Sequence, residues 1–343
     1  MSAHVKGLPA ASRNQRDKRL TDNHGRQITY LRLAITDRCN LRCIYCMPEE
    51  GIAAVRHDET LSYEELGRLA RLFLGMGIEK IRITGGEPFV RRGCIDFLER
   101  LKHEFGVRHL VVTTNGVETH QFLSRLQALP ISGINLSLDT LDRERFRQLT
   151  RRDRFEDVLR TMYGSLEHGI PLKVNSVVSG ETSDEEILRL GRLAEANNLC
   201  LRFIEQMGFS GDHGPKARID YHLEQRLARL FPGLRLLSHQ PGTTAKLFMV
   251  PGFSGTLGII EGHSRRFCSS CNRIRITPQG ILKACLYDNG VLNLRELIRA
   301  GIDDGELEEQ VRTCLNRRFA NGVDTEQANH NSQTHPSMAT IGG

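Results

Sequence analysis

Short β-prone runs alternate with longer amphipathic segments, and this alternation most narrows what the chain can fold into. The runs are ITYLRLAIT (28–36), EKIRITG (79–85), HLVVTTN (109–115), GINLSLD (133–139), LKVNSVV (172–178) and LRFIEQM (201–207). Segments 62–76, 94–105, 118–128, 154–168 and 183–198 lie between them and place apolar residues at i, i+3 and i+4, the spacing of a helix with one buried face. Strand, helix, strand in series predicts parallel βαβ units and an α/β fold. Periodicity alone leaves open a doubly wound sheet or an incomplete (β/α)6 TIM-like barrel. The ends of the runs favour the barrel: each stops in polar or Gly-rich residues, such as Thr84-Gly85-Gly86-Glu87-Pro88, Thr113-Thr114-Asn115-Gly116 and Ser137-Leu138-Asp139. Gly, Asn and Asp also suit ordinary turns. Their recurrence at every run is the barrel pattern, in which chemistry gathers at the C-terminal strand ends.

The first run leads into TDRCNLRCIYCMP, where Cys39, Cys43 and Cys46 stand on one tight loop. Three thiolates can hold three irons of a 4Fe–4S cube and leave the fourth iron open, whereas an electron-transfer ferredoxin supplies four. A zinc knuckle short of one ligand and plain buried thiols are the alternatives. A second trio, Cys268 and Cys271 in FCSSCNR and Cys285 in LKACLY, repeats the arithmetic. It reads as a second cluster with an open iron, or as a zinc site completed by His263. The remaining cysteines (94, 200, 314) lie in apolar or helical contexts and are expected as small buried hydrophobes. Nine cysteines, an odd number, fit no complete disulfide framework.

Charged residues inside apolar strands must face water or a polar pocket. Arg32 in YLRLAIT, Arg82 in KIRIT and Lys173 in LKVNSVV pose that question, and Arg273 and Arg275 stand two apart, on one side of a strand-like run. Several fixed cations aimed into one cavity suit a polyanion such as a triphosphate. A net charge of +6 allows an anionic ligand without arguing for nucleic acid, and absent Trp with 6% aromatics leaves no base-stacking surface. No apolar run approaches a membrane span, and the polar start MSAHVKGLPAASRNQRDKR lacks the apolar core of a secretory signal, so a cytoplasmic protein with a frayed start over 1–25 is expected. A barrel over 26–210 is expected to be followed by an α+β region over 211–321 with helices near 221–230, 292–300 and 304–319. The polar stretch 322–343, ending in Gly342-Gly343, is expected to have no structure of its own.

Together YLRLAITDRCNLRCIYCMP, KIRITGGEPFVRR, the FCSSCNRIRIT…CL block and the Ile341-Gly342-Gly343 end resemble the GTP 3′,8-cyclases of molybdenum cofactor biosynthesis, members of the radical S-adenosylmethionine (SAM) enzymes. The resemblance runs from about Arg26 to the end. It implies two 4Fe–4S clusters, one on Cys39, Cys43 and Cys46 and one on Cys268, Cys271 and Cys285. It further implies SAM held by Tyr45, Gly86, Ser137 and Met207, and GTP held by Arg32, Arg82, Thr113, Lys173, Arg273 and Arg275. The reaction it implies is that of a lyase: a 5′-deoxyadenosyl radical takes the ribose 3′ hydrogen of GTP, and C3′ closes on guanine C8. An external one-electron reductant, a downstream cyclic pyranopterin monophosphate synthase and a homodimer belong to the same expectation, as do terminal glycines reaching into the site. The sequence departs from the resemblance where His335 and Pro336 stand in place of an expected arginine.

Overall fold

The computed structural model describes residues 19–53, 55–207, 222–237, 243–262, 266–329 and 337–342. The first half lays down β1 (Tyr30–Ala34), α1 (Tyr63–Gly75), β2 (Lys80–Thr84), α2 (Cys94–His103), β3 (His109–Thr114), α3 (Leu123–Ala128), β4 (Gly133–Ser137), α4 (Arg143–Thr150), α5 (Phe155–Glu167), β5 (Leu172–Val178), α6 (Asp184–Gly191), α7 (Leu193–Ala196) and β6 (Cys200–Glu205). There follow α8 (Leu223–Leu230), β7 (Arg235–Leu236), β8 (Lys246–Met249), β9 (Thr256–Ile260), β10 (Arg273–Ile276), β11 (Ile281–Lys283), β12 (Leu292–Asn293), α9 (Leu294–Arg299), α10 (Asp304–Leu315), α11 (Gly322–Ala328) and α12 (Met338–Ile341).

Local chemistry explains the helix starts. Ser62 accepts from the Glu65 amide while Glu65 reaches back to Ser62, a reciprocal cap that opens α1 and aims Leu66, Leu69, Ala70 and Phe73 at the sheet. The same box opens α6 at Ser183 and Glu186. Sequence periodicity missed α4, whose eight residues carry five charged or Gln side chains and bury only Phe146 and Thr150.

The twelve strands among the described residues form one sheet in the order β12-β11-β10-β1-β2-β3-β4-β5-β6-β9-β8-β7. From β10 through β9 the pairing is parallel, and antiparallel strands extend both sides. Strands from after residue 210 therefore pair with both outer strands of the barrel segment, and the sheet runs across the expected boundary. Side chains alternate cleanly across it. Leu31, Leu33, Ile81, Ile83, Leu110, Val112, Ile134, Leu136, Val174, Leu201 and Phe203 point outward to the helices and are buried. Arg32, Arg82, Thr113, Asn135, Asn175 and Arg202 occupy the opposite face.

That inner face is curled. Laid flat, β1 and β6 would be about 24 Å apart at ~4.8 Å per strand, yet Arg202 on β6 feels the charges of Tyr30 and Arg32 on β1. One cavity takes side chains from β1 through β6 and from β9, β10 and β11. This is the incomplete barrel expected from the sequence. Its interior differs from a filled TIM core because Arg32, Arg82, Arg202, Asn135 and Asn175 among its inward residues are charged or amide-bearing and cannot pack as a dry layer.

Two expectations for the ends change. Leu20 is buried, Thr21 bridges to Gln27, and residues 19–25 belong to the folded body. The stretch from Gly322 begins with α11, because the Asn321 side chain accepts from the Val323 and Asp324 amides. Of the cysteines expected to be buried, Cys94 is, whereas Cys200 and Cys314 are half-buried. No helix among the described residues is long and apolar enough to cross a membrane.

Candidate active site

Register places the cations before any ligand is considered. Arg82, Arg32 and Arg275 are direct neighbours across β2, β1 and β10, and Lys80, Tyr30 and Arg273 form the adjacent row toward the N-terminal strand ends. Like charges opposite one another repel, and burial adds to the cost. Burial, together with repulsion from Arg32, Arg202 and Arg273, pushes the Arg82 guanidinium down to about 9 against the pull of Tyr30. Arg275 is pushed well down, first by burial and then by Arg32 and Arg273. Within this interior, Arg32 Nε, Arg82 Nε, Arg202 Nε, Thr113 Oγ1, Asn175 Oδ1 and the Tyr30 hydroxyl are buried without a hydrogen-bond partner among the described residues. The three guanidinium nitrogens among them are buried donors without acceptors, which is costly, and their arrangement suits an incoming anion.

The two cysteine trios stand at opposite ends of this interior. Cys39, Cys43 and Cys46 follow β1 at its C-terminal end. Cys268 and Cys271 precede β10, which runs parallel to β1, and Cys285 follows β11, which runs antiparallel to β10. The second trio therefore lies at the N-terminal end, with the cation rows between, and all six thiols line the cavity. The sequence expectation of chemistry at the C-terminal face alone is thus extended to both ends.

The first loop is held by its neighbours. Its Arg42 and Ile44 amides donate to Thr150 and Leu149 carbonyls at the end of α4, and Arg42 Nη1 donates to the Cys39 carbonyl at 2.7 Å. The Leu41 amide and Asn115 Nδ2 donate to Cys39 Sγ at 3.5 and 3.6 Å. Burial pushes the Cys39 thiol up to about 12 and Cys43 well up. Gly86 lies on the approach to this loop: a Cβ there would stand 2.4 Å from the Arg38 carbonyl oxygen, so only glycine allows the end of β2 to cross it. Tyr45 donates to Asp139 Oδ2 at 2.6 Å, and Val177 N donates to its other oxygen at 2.7 Å. Burial still raises Asp139 to about 6.

The second loop is pinned from distant sequence. Arg26 Nη1 donates to the Cys268 carbonyl, the Cys285 amide donates to Asp288 Oδ2 at 2.6 Å, and Lys283 pairs with Asp288. Burial raises the Cys271 thiol, but Arg273 and Arg318 beside it outweigh burial and hold it below its ordinary value. Among the described residues no three His, Cys, Asp or Glu side chains converge tightly enough for one ion. His263 lies outside the described residues. The first trio stands on one loop and the second on two neighbouring strand ends, and all six face the cavity, a set of soft thiol donors of the kind iron–sulfur clusters take.

The carboxyl end closes one side. Ser337 Oγ donates to the Cys46 carbonyl at 2.6 Å, Met338 and Ala339 line the cavity, and Arg275 Nη1 donates to the Gly342 carbonyl at 2.7 Å. Gly343, His335 and Pro336 lie outside the described residues. Of the residues singled out from sequence, Tyr45, Gly86, Ser137, Met207, Arg32, Arg82, Thr113, Arg273 and Arg275 line the cavity, and Met207 Sδ accepts from the Tyr287 hydroxyl at 3.5 Å. Lys173 does not line it: it shares the inner face of β5 with Asn175 but is solvent-exposed. Arg202, Lys80 and Arg318 went unnoticed, and Asp139 was marked only as part of a polar strand end. Arg202 carried the same signal as Arg32, a charge inside the apolar run LRFIE. Arg318 carried none, since its partners lie 45 or more residues away.

Comparison with known proteins agrees in outline. Residues 33–194 match the Radical SAM superfamily and residues 199–322 match Molybdenum Cofactor Synthesis C. A GTP 3′,8-cyclase of Heliobacterium modesticaldum is 39% identical over 317 residues, covering 91% of this chain and 94% of the relative. The mitochondrial GTP 3′,8-cyclase of Arabidopsis thaliana is 37% identical over 304 residues, covering 88% and 78%. Molybdenum cofactor biosynthesis protein 1 of Mus musculus is 40% identical over 302 residues, 87% of this chain but 48% of the relative, so the chain spans about half the length of that longer protein. Streptococcus suis SuiB bound to S-adenosylmethionine shares the fold, with a TM-score of 0.58 at 17% identity over 84% of this chain and 69% of that one. On this evidence the chain belongs to the GTP 3′,8-cyclase family of radical SAM proteins.

Proposed function

We propose that this chain cyclises GTP to 3′,8-cyclo-7,8-dihydroguanosine triphosphate, with SAM as radical source, as the first step of molybdenum cofactor synthesis. The observation that carries the reading is the row of guanidiniums with buried unpartnered nitrogens between two trios of thiols. Cys39, Cys43 and Cys46 would hold one 4Fe–4S cluster, and Cys268, Cys271 and Cys285 a second. When bound, these groups supply one-electron cleavage of SAM at the first trio and an open iron for the guanine edge at the second.

The protein's own task is to bind and orient. Arg32, Arg82, Arg273 and Arg275 neutralise the triphosphate, and Arg202 and Thr113 offer further donors. Lys173 stands outside this cavity wall and serves as a cation beside it. Burial makes each charged hydrogen bond stronger than at a wet surface. Fixing the phosphates against the cation rows holds the attached ribose and base in one orientation, so that C3′ and C8 of the same nucleotide can be kept close, as an intramolecular closure requires. Tyr45, Gly86, Ser137 and Met207 contribute the SAM pocket. The α12 segment covers the first loop and excludes water that would quench a radical. An external one-electron reductant drives the reaction, and a cyclic pyranopterin monophosphate synthase takes the product.

Anaerobic incubation of the iron-reconstituted chain with GTP, SAM and dithionite is expected to release 5′-deoxyadenosine and the cyclised nucleotide. Release of neither refutes the reading. A charge-assisted hydrogen bond contributes about 1.5–3 kcal/mol, so Arg273→Ala is expected to raise the Kd for GTP roughly tenfold to a hundredfold. Equal affinity in variant and parent removes Arg273 from the nucleotide site.

A further inference from the structure

Arg318 follows α10 and is buried, its side chain only 4% exposed. Its guanidinium makes four polar contacts. Nη1 donates to Asp22 Oδ2 at 3.1 Å and to the Cys271 carbonyl at 3.2 Å. Nη2 donates to the Arg273 carbonyl at 3.1 Å and to Cys271 Sγ at 3.2 Å. Asp22 is fully buried and also holds Arg26, whose Nε lies 2.7 Å from it. One carboxylate from the amino-terminal segment thus fixes two arginines. Arg26 reaches the carbonyls of Cys268, Phe319 and Ala320, while Arg318 reaches a sulfur.

The contrast with the first trio is chemical. The Cys39 sulfur receives donors from neutral amides, Leu41 N and Asn115 Nδ2. The Cys271 sulfur receives a buried cation. The potential of an iron–sulfur cluster depends on its net charge, on hydrogen bonds to its sulfurs and on solvent access. Reduction adds negative charge, and a fixed guanidinium in a site of low dielectric stabilises the more negative state.

We infer that Arg318, braced by Asp22, raises the reduction potential of an iron–sulfur cluster held by Cys268, Cys271 and Cys285, acting through its hydrogen bond to the Cys271 sulfur. This rests on the reading of that trio as a cluster site. Arg318 is a positioning and tuning residue, since it acts through Cys271.

The test uses the full chain with Cys39, Cys43 and Cys46 changed to Ala, so that only the second site loads. Iron is counted and the midpoint potential followed by EPR during a reductive titration. Arg318→Gln is expected to keep its iron and titrate at a more negative potential than the parent. Arg318→Lys, which retains charge without the fork, is expected to fall between. Arg26→Gln loosens the same loop without touching sulfur and is expected to titrate with the parent. An unchanged potential in Arg318→Gln, or an equal shift in Arg26→Gln, overturns the inference. So does loss of iron from Arg318→Lys, which would make the contact structural. A parent that binds no iron at this trio overturns the second-cluster reading itself.

Discussion

Tyr30 shows how a single residue can organise a charged interior. Lys80 Nζ lies 4.8 Å from its ring centre, and the guanidinium carbons of Arg82 and Arg32 lie at 5.3 and 5.9 Å, so cations surround the ring. Burial alone would raise its phenol, but Arg82, Arg32, Lys80 and Arg273 outweigh burial and bring it down to about 7. In the folded chain the phenolate is therefore populated near neutral pH, as a counter-ion to these cations. A depressed acid stabilises the fold fully above its unfolded value, about 10, and that contribution fades as pH falls through about 7. Phenolate absorbance of the nucleotide-free chain should accordingly show a step near pH 7 that Tyr30→Phe abolishes. Saturating triphosphate, by claiming the same cations, should move the step upward. A titration with no step below pH 9 would refute this. Arg32 and Arg82 were legible in sequence because a charge inside an apolar strand is conspicuous. Tyr30 was not, because tyrosine is an ordinary strand residue and its partners come from three strands.

At the scale of elements, the carboxyl end shows a helix that sequence could not announce. A helix of four residues such as α12 has no stability of its own, and its composition is unremarkable. It exists because Ser337 caps it, Arg275 takes the Gly342 carbonyl, and the chain fits against β1 and β2. Gly342 has φ +78°, and a Cβ there would stand 2.8 Å from Ala34 Cβ and 3.0 Å from Thr84 Cγ2. Gly342→Val therefore costs the closed tail roughly 1–3 kcal/mol, enough to raise its open fraction about fivefold to a hundredfold. Carboxypeptidase trimming of the variant should accelerate correspondingly while the core melts near the parent temperature. Equal trimming rates would show that the tail is not held there. The long helices and barrel strands, by contrast, were readable from their periods, since each buries a face continuous in sequence.

For the whole molecule, the decisive feature is a sheet that crosses the expected domain boundary. Tyr30 pairs with Arg273 on one side of the barrel segment, and Cys200 pairs with Thr256 on the other. Residues 19–207 alone would leave β1 and β6 as open apolar edges, which invite association. That fragment is expected to aggregate and lack a cooperative melt, whereas the full chain melts with the barrel and its extensions together. A monomeric fragment with a sharp transition would refute this. The sequence by itself determined the α/β class, the two thiol trios and several strand-borne cations, because period, spacing and a charge out of place are local properties. Tertiary structure alone decided that the trios occupy opposite ends of one interior, that Arg82, Arg32 and Arg275 stand in a row, and that Asp22 reaches Cys271 through Arg318. Those relations arise when strand register and side-chain contacts close loops of about 50 to 300 residues, and contacts at such separations leave no periodic trace along the chain.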